Sequence, residues 1–387
     1  MAHRFARTAR LAFSSPARAA ACAAVPALLI AQQAKADGDI NKETVAMAGA
    51  AAAVGYAAVA ATQANAKARD QDLRLQALEV RAAKATSSAF VFVKPHAVTD
   101  AVKVKVKAGL ETAGLTVLQE GSIAGPKIDA DKLIDTHYGA IAAKAVTLKP
   151  AQLQPSTKAT AAFEAQFGLS WADALKQGLV YNAKDACTKL NCDGAGLDAK
   201  WATLTSKTRI KFGGGFYCGQ LEGVYVINGS YMAMRGKFTD PKAAIHYYLV
   251  EWPTAALSWN DFRGRVLGAT NPSEARPGSL RRAVLDDWRA LGLASVPDTG
   301  DNGVHASASP FEALSERVNW CGAEFATDAY GRGLVAAGID AGTLKAWSDD
   351  PQVQLPGGGS GSLFDALEDL DADACLEKAR AIKAANE

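Results

Sequence analysis

The segment from Ala89 to Leu118 constrains the fold most, because its residue pattern changes period twice within thirty positions. Ala89-Phe-Val-Phe-Val93 is a short aromatic and β-branched run that suits a buried strand, and it stops at Lys94-Pro95. Thr99 to Gly114 then places Val102, Val106 and Leu110 on one helical face. Leu115-Thr-Val-Leu118 reads as the next strand. Strand, helix and strand in this order point to an α/β or α+β sandwich with one layered core. Much later, Ala244 to Trp252 is the longest strand signal in the chain. Phe262 to Leu267 then runs into Gly268-Ala-Thr-Asn-Pro272, where Gly, Asn and Pro force a turn.

The chain is longer than one compact domain needs, at 387 residues, so a second module or large insertions are expected. A net charge of only +2 leaves no basic surplus for a nucleic-acid backbone to recruit. Hydrophobic content of 49% with 21% charged residues describes a globular chain, not a disordered one. The cysteines are Cys22, Cys187, Cys192, Cys218, Cys321 and Cys375, without a CxxC pair. That spacing argues against a zinc cluster and excludes a dense disulfide scaffold. Cys187 and Cys192 read as free thiols, although an oxidising compartment could bridge them.

The N-terminal region reads as an address followed by a spacer. From Met1 to Ala36 there is no Asp or Glu, while Arg4, Arg7, Arg10 and Arg18 recur among Ala and Ser. This is the pattern of an organellar transit peptide, and a mitochondrial destination is the leading expectation. The apolar run Ala19–Ala31, ending at Ala34-Lys35-Ala36, keeps a plastid or secretory route open. Residues 37–85 hold a second uncharged run, Thr44 to Ala66, long enough to tether the chain to a membrane but rich in Ala and Gly. Lys67 to Lys84 follows as a spacer helix with Leu75, Leu78 and Ala82 at helical spacing, suited to self-association.

Residues suited to phosphate chemistry collect further on. Thr270, Arg281, Asn302, His305, Ser307 and Glu316 lie on or beside segments rich in Gly, Pro and small residues. Phosphoryl transfer through a side chain needs a nucleophile, cations for the moving charge and a hydrogen-bonded orienter. A neutral imidazole at His305 can attack through one ring nitrogen while a partner holds the other. Arg281 offers a planar fork, Lys94 a point charge, and Thr270 and Asn302 neutral donors. Each of these residues also has an ordinary explanation when taken alone.

Their order and spacing carry more. Asn302-Gly-Val-His305-Ala-Ser307 is similar to the N-x-x-H-G-S-D signature of nucleoside diphosphate kinases. Gly268 to Arg281 resembles the nucleotide-site segment of that family, Val93-Lys94-Pro95 its first-strand lysine, and His137-Tyr138 its H-Y pair. The resemblance covers Ala89 to about Ala145 and Ala244 to about Trp320. It implies an α+β, ferredoxin-like sandwich over residues 86–322 that moves a γ-phosphoryl group from ATP to nucleoside diphosphates through a phosphohistidine. By position, His305 would be the nucleophile, Glu316 would orient its ring and Ser307 would support the carboxylate. Lys94, Tyr138, Arg265, Thr270, Arg281 and Asn302 would hold the nucleotide. Mg2+ would arrive with the nucleotide, bound mainly by phosphate oxygens and not by a protein cage. No P-loop is required, and Gly213-Gly214-Gly215 lacks the Lys-Ser/Thr that would complete one.

The chain departs from that family at four places. Ala306 and Ala308 stand where it has Gly and Asp. Gly264 stands where it has an arginine, with Arg263 and Arg265 on either side; either could reach the phosphates, and Arg265 is the one expected to. The base-stacking aromatic has no counterpart after Ala145. Two insertions interrupt the pattern, about Val146–Lys242 and Arg282–Asp301, so the usual oligomer cannot be assumed. The first is too long for a plain loop. It carries helical stretches near Ala161–Phe167 and Trp171–Gln177 and hairpin-like runs at Phe212–Tyr217 and Gly223–Met234. A C-terminal helical extension fills residues 323–387: Asp328–Trp347, a flexible linker Pro356–Ser362 and a final helix Leu363–Asn386. Its acidic residues Asp365, Glu368, Asp369, Asp371 and Asp373 read as a helix face, not as a calcium loop. Two functions compete on this reading. One is an active phosphotransferase. The other is a catalytically weak structural subunit of an organellar membrane assembly, favoured by the apolar run and the displaced arginine.

Overall fold

The computed structural model describes residues 42–387 except Gly214, so the transit-peptide expectation lies outside the described residues. The chain divides into two compact units, Met1–Leu78 and Glu79–Glu387. A helix, Lys42–Ala85, holds the Thr44–Ala66 run. No helix among the described residues is long and apolar enough to cross a membrane. Its Ala and Gly supply little of the transfer energy of a Leu-rich span.

Ten strands follow in the second unit: β1 (Thr86–Val93), β2 (Thr116–Ala124), β3 (Val180–Asn182), β4 (Arg209–Gly213), β5 (Phe216–Leu221), β6 (Val224–Ile227), β7 (Ala244–Pro253), β8 (Val304–Ala306), β9 (Gln352–Gln354) and β10 (Ser360–Ser362). The first sheet has the order β2-β7-β1-β8, with every pair antiparallel. Two strand–helix–strand units interleaved in this order make the ferredoxin-like α+β sandwich. The alternation of β1 shows how its sequence covers two layers. Ala89, Val91 and Val93 face a core with the helix Asp100–Thr112, through Val102, Val106 and Leu110. Phe90 and Phe92 face the opposite core with Ile128, Ile134, Phe238 and Trp320. Thr99 caps that helix by accepting a hydrogen bond from the Val102 amide.

The 146–242 insertion folds as its own α/β element around a second four-stranded sheet, β3-β6-β5-β4. Phe163, Trp171, Phe212 and Tyr225 fill one face, and Leu197, Trp201, Val226 and Tyr231 the other. The Gly223–Met234 run is strand only as far as Ile227, and a helix, Tyr231–Thr239, takes over. The break has a cause in Asn228, which is buried in a left-handed conformation with φ 50°. Its side chain accepts from the Tyr217 amide at 2.8 Å and donates to the carbonyls of Gly215 at 2.9 Å and Ile141 at 3.3 Å. The insertion is fastened to the first layer by Arg235, which pairs with Asp129 at 2.6 Å and Asp135 at 2.9 Å.

The C-terminal extension is also not as its sequence suggested. Pro356–Ser362 is not a free linker: it turns between β9 and β10, which pair antiparallel. The last helix is broken into Leu363–Leu367 and Ala372–Ala385. Glu368 and Asp369 lie in the break, and Asp369 has φ 59°, so they do not form a continuous acidic face. Asp371 is not spare either, since its carboxylate accepts from the Trp259 amide at 2.6 Å. The extension packs on the helix Pro310–Cys321 through Phe311 and Leu314, with Leu363, Leu367, Leu376 and Ile382 all fully buried. Burying four such side chains contributes at least about 6 kcal/mol, so the extension is a docked part of the fold and not a loose tail. The ion pair Arg317–Asp328, at 2.7 Å and almost wholly buried, fixes its start. Cys187, Cys192, Cys218, Cys321 and Cys375 are free thiols.

Candidate functional site

The edge strand β8 carries His305 opposite Phe92 of β1, and the two rings stack with centroids 4.6 Å apart. Val304 and Ala306 turn into the core on one side of the sheet, so strand alternation aims His305 at the other. The helix Pro310–Cys321 covers that side. It begins at Ser309, whose hydroxyl caps the Glu312 amide at 3.0 Å, and its inward face presents Glu316 to the imidazole.

Glu316 is the hub of the site. One carboxylate oxygen lies 2.6 Å from His305 Nε2, and the other accepts from the Ser307 hydroxyl at 2.5 Å. Ser307 itself accepts from the Phe90 amide at 3.0 Å, which ties the carboxylate to the centre of the sheet. A carboxylate can only accept, so the imidazole proton sits on Nε2 and the lone pair on Nδ1. Nδ1 has no hydrogen bond among the described residues, nor is it a buried orphan, so it opens to solvent. Burial, with the nearby charges of Lys94, Arg281 and Arg263, holds the His305 pKa well below the usual histidine value. The ring is therefore neutral at pH 7, with a free lone pair. Burial also raises Glu316 to about 7, against the counter-pull of His137 and the Ser307 hydrogen bond.

His137 lies beneath this pair, its Nδ1 3.4 Å from Glu316. The Trp320 indole donates to that same Nδ1 at 3.3 Å, and burial drives the His137 pKa down to about 3. His137 is a neutral wall of the site, packed edge-on against both His305 and Tyr138 with centroids 4.7 Å apart.

Two cations face the histidine. Lys94, at the end of β1, donates to the Gly300 carbonyl at 3.1 Å, and burial with the neighbouring Arg281 charge lowers its pKa to about 8. Arg281 is 8% exposed and donates to the carbonyls of Val304 and Gly268, both at 2.9 Å. Burial, followed by the charge of Arg263, lowers its pKa to about 10. Neither cation has a carboxylate in contact among the described residues. Arg281 is buried and Lys94 half-buried, both held on neutral carbonyls, with Asp301 and Asp298 acting on Lys94 only through space, so the pair is suited to receive an anion.

The turn that Arg281 grips needs its glycine. Gly268 has φ 94°, and a Cβ there would lie 2.4 Å from the Ser279 hydroxyl. Asn302 closes the turn by donating to the Thr270 carbonyl at 3.1 Å, while its own Oδ1 is buried without a partner. Thr270 is exposed at the rim. Tyr138 is raised to about 12 by burial and by Glu316 and Glu312.

The structure thus brings together His305, Glu316, Ser307, Lys94, Arg281, Asn302 and the Thr270 carbonyl, with Tyr138 behind His137. It does not bring Arg265 to them. That side chain is 59% exposed and reaches only Asp261, at 3.5 Å. The segment Phe262–Leu267 is a π-helix, and its widened turn places Arg263 inward instead. Arg263 pairs with Glu368 at 2.6 Å and Asp369 at 2.7 Å. Sequence reasoning had no means to find these two carboxylates, since they come from the end of the chain.

A cavity of about 1080 Å³ adjoins this cluster through Lys94 and Tyr138. Its remaining walls come from the 298–301 loop and, unexpectedly, from the insertion, which contributes Trp201, Arg209, Tyr217 and Tyr231. Lys237, from the helix Tyr231–Thr239, bridges the two parts by pairing with Asp301 at 2.8 Å. His305, Arg281 and Asn302 are not wall residues of this cavity. Among the described residues, His137, His305 and Glu316 are the one group with converging metal-ligand atoms. Two imidazoles suit Mg2+ poorly, and all three side chains are already engaged with one another or with Trp320.

No family profile and no curated protein matches the chain. Solved structures resemble it at a distance. One is a nucleoside diphosphate kinase from Encephalitozoon cuniculi, 15% identical, covering 61% of this chain and 90% of that one at a TM-score of 0.28. Another is an NDP kinase from Pyrobaculum aerophilum, 16% identical, with 61% and 95% covered at 0.29. A third is a nucleoside-diphosphate kinase from Borrelia burgdorferi with bound vanadate and ADP, 15% identical, with 61% and 86% covered at 0.29. Similarity this low is a distant likeness of fold. The α+β architecture rests on the strand order itself, and no residue assignment rests on these neighbours.

Proposed function

We propose that the protein moves the terminal phosphoryl group of a nucleoside triphosphate to a nucleoside diphosphate through a phosphohistidine at His305 Nδ1. One observation carries this reading: a neutral imidazole, its proton fixed on Nε2 by Glu316, presents a free lone pair near the charges of half-buried Lys94 and buried Arg281, neither in contact with a carboxylate among the described residues.

In the first half-reaction the Nδ1 lone pair attacks the γ-phosphorus. The bond from phosphorus to the β–γ bridging oxygen breaks, and the diphosphate departs with that electron pair. Positive charge grows on the ring, and the Glu316 carboxylate stabilises it through the Nε2–H hydrogen bond. Lys94 and Arg281 supply donors for the equatorial oxygens. In the second half-reaction a terminal oxygen of the acceptor diphosphate attacks phosphorus, and the P–N bond returns its pair to Nδ1. The cavity shared with the insertion has the volume for the nucleoside portion. Mg2+ would enter on the nucleotide, held by phosphate oxygens, and would neutralise part of the polyphosphate charge.

The test is incubation of the native chain with γ-labelled ATP. An acid-labile, alkali-stable phosphate should form and discharge onto GDP, and His305→Asn should abolish it while ADP still binds. Label that survives His305→Asn removes the histidine from the role, and a native chain that takes no label favours the structural-subunit alternative. We also propose a mitochondrial address, on the acid-free basic stretch Met1–Ala36. Fusion of that stretch to a fluorescent reporter checks it, and a plastid or secretory pattern would overturn it.

A further inference from the structure

The displaced arginine and the broken C-terminal helix meet at one place. Arg263 lies on the π-helical segment that packs against β8, the strand of His305. Its Nη1 donates to Glu368 at 2.6 Å and to Asp369 at 2.7 Å. Its Nε is buried without a partner, and its Nη2 makes no hydrogen bond among the described residues. Half of this guanidinium is pinned and the other half is unassigned. Its charge acts on His305, Arg281 and Glu312, which puts it within electrostatic reach of the phosphorylation site.

The two carboxylates are about half exposed, and the backbone beneath them is fixed. The Asp369 amide donates to the Ala308 carbonyl at 3.0 Å, three residues beyond His305. Asp369 adopts φ 59°, a conformation a non-glycine residue takes at some cost, in the same short break from which both side chains meet Arg263. The surrounding extension is bonded to the helix that carries Glu316 by a buried apolar core. Such a segment does not lift away at each turnover, so it builds the site and does not gate it.

We propose that Glu368 and Asp369 are positioning residues that aim Arg263 at the phosphates, so that the C-terminal extension completes the phosphoryl-transfer site and Arg263 serves where Arg265 does not. This rests on the phosphotransferase reading of His305. A single arginine on a widened turn has many rotamers. Two charge-assisted bonds to Nη1 restrict the guanidinium and leave Nη2 without a partner among the described residues, the kind of preorganised donor a moving phosphoryl group requires.

The experiment uses the full chain and two measurements: ADP affinity by calorimetry, and the rate of label transfer from ATP to His305. Arg263→Ala should weaken ADP by about tenfold, the size of one charge-assisted contact, and Arg265→Ala by much less. The double variant Glu368→Gln with Asp369→Asn keeps side-chain size and tolerates the left-handed backbone. It should weaken ADP and slow labelling to a similar degree, with adenosine affinity and melting temperature unchanged. In an Arg263→Ala background the same two changes should have no further effect on ADP affinity, because they act through Arg263, and the unchanged melting temperature and adenosine affinity set this apart from a merely structural ion pair. Arg263→Lys, which keeps the charge without the fork, should recover part of the loss and covers the case of a poorly folding alanine variant.

Three results would overturn the proposal. They are tighter or unchanged ADP binding in the double carboxylate variant, equal losses from Arg263→Ala and Arg265→Ala, and additive losses in the combined variant. A native chain that binds ADP but takes no label removes the transfer reading alone, and the ADP comparison then still decides what the carboxylates do.

Discussion

The two four-stranded sheets of this protein solve the same packing problem and treat buried polarity in opposite ways. In the insertion, the buried Asn228 and Asn182 spend their side chains on backbone groups. Asn182 accepts from the Asp185 amide at 2.7 Å and donates to the Leu148 carbonyl at 3.0 Å. Asn228 likewise satisfies both ends of its amide. Beside the first sheet, the buried polar groups keep valences open. Among the described residues Asn302 Oδ1 and Arg263 Nε lack partners, and Lys94 and Arg281 carry charge with no carboxylate in contact. An unmet buried polar group costs about 1–3 kcal/mol; the insertion leaves Gln166 Nε2 in that state, whereas beside the first sheet the unmet atoms gather with two cations. The difference separates polar residues that hold a fold from polar residues that wait for something.

Arg281→Ala tests that contrast where the effect is largest. The side chain makes two charge-assisted bonds to carbonyls that join β8 to the Gly268 turn. Its loss should cost roughly 3 kcal/mol of stability and slow phosphohistidine formation by about 100-fold or more. Thermal unfolding and label kinetics read the two separately. A stability loss with unaltered labelling would make Arg281 as purely structural as Asn228.

The mirror experiment is Asn228→Gly, which keeps the left-handed backbone and removes only the side-chain bonds. It should destabilise the protein by about 2 kcal/mol, seen by urea denaturation, and leave labelling of the folded protein intact. Loss of labelling in fully folded protein would mean that the insertion's framework reaches the chemistry directly.

The pH dependence sharpens the comparison further, because the first sheet holds the groups that titrate near neutrality. Glu316 must be ionised to accept from Nε2–H, and burial raises it to about 7, so kcat/KM should fall as pH drops through that value. Lys94 must stay protonated to meet phosphate, and burial lowers it to about 8, so activity should fall again above that. Each limb should approach about tenfold per pH unit, and Lys94→Arg should flatten the alkaline one. An alkaline limb that persists in Lys94→Arg would assign it elsewhere.

The smallest effect belongs to the wall that the insertion lends to the cavity. Tyr217 is 37% exposed there, and Tyr217→Ala should raise KM for nucleotides by only about three- to tenfold, with kcat unchanged. A change in kcat instead would place the ring closer to the reacting atoms than the cavity does.

Much of this was legible from residues alone, for a simple reason. Periodicity is a local property, so the β1–helix–β2 start and the long β7 could be read directly, and the α+β sandwich followed from their order. The cluster around His305 was legible because Asn302, His305, Ser307 and Glu316 lie within fifteen positions on one strand and one helix, where spacing already sets which side chains face each other. The role of Arg265 read differently, because a π-helical turn reassigns which side of a helix each residue occupies, and no letter in Phe262–Leu267 announces it. The C-terminal helix was read as continuous because Leu363–Asn386 has unbroken helical propensity. It is instead broken where Asp369 meets Arg263, 106 residues away in sequence, and the Ala308 carbonyl, about sixty residues away.

What the amino-acid sequence determined by itself is therefore what depends on near neighbours: the strands, the capped helices, the Gly268 turn, and the histidine with its carboxylate. What the tertiary structure alone decided is everything that depends on groups distant in sequence meeting in a buried place. The insertion became a wall of the cavity, an arginine was exchanged for its neighbour, and an acidic stretch at the far end of the chain came to rest beside β8. Local propensities weigh a few tenths of a kcal/mol per residue, whereas a buried charge must find its partner or cost several, so long-range pairing overrides the local pattern wherever the two disagree.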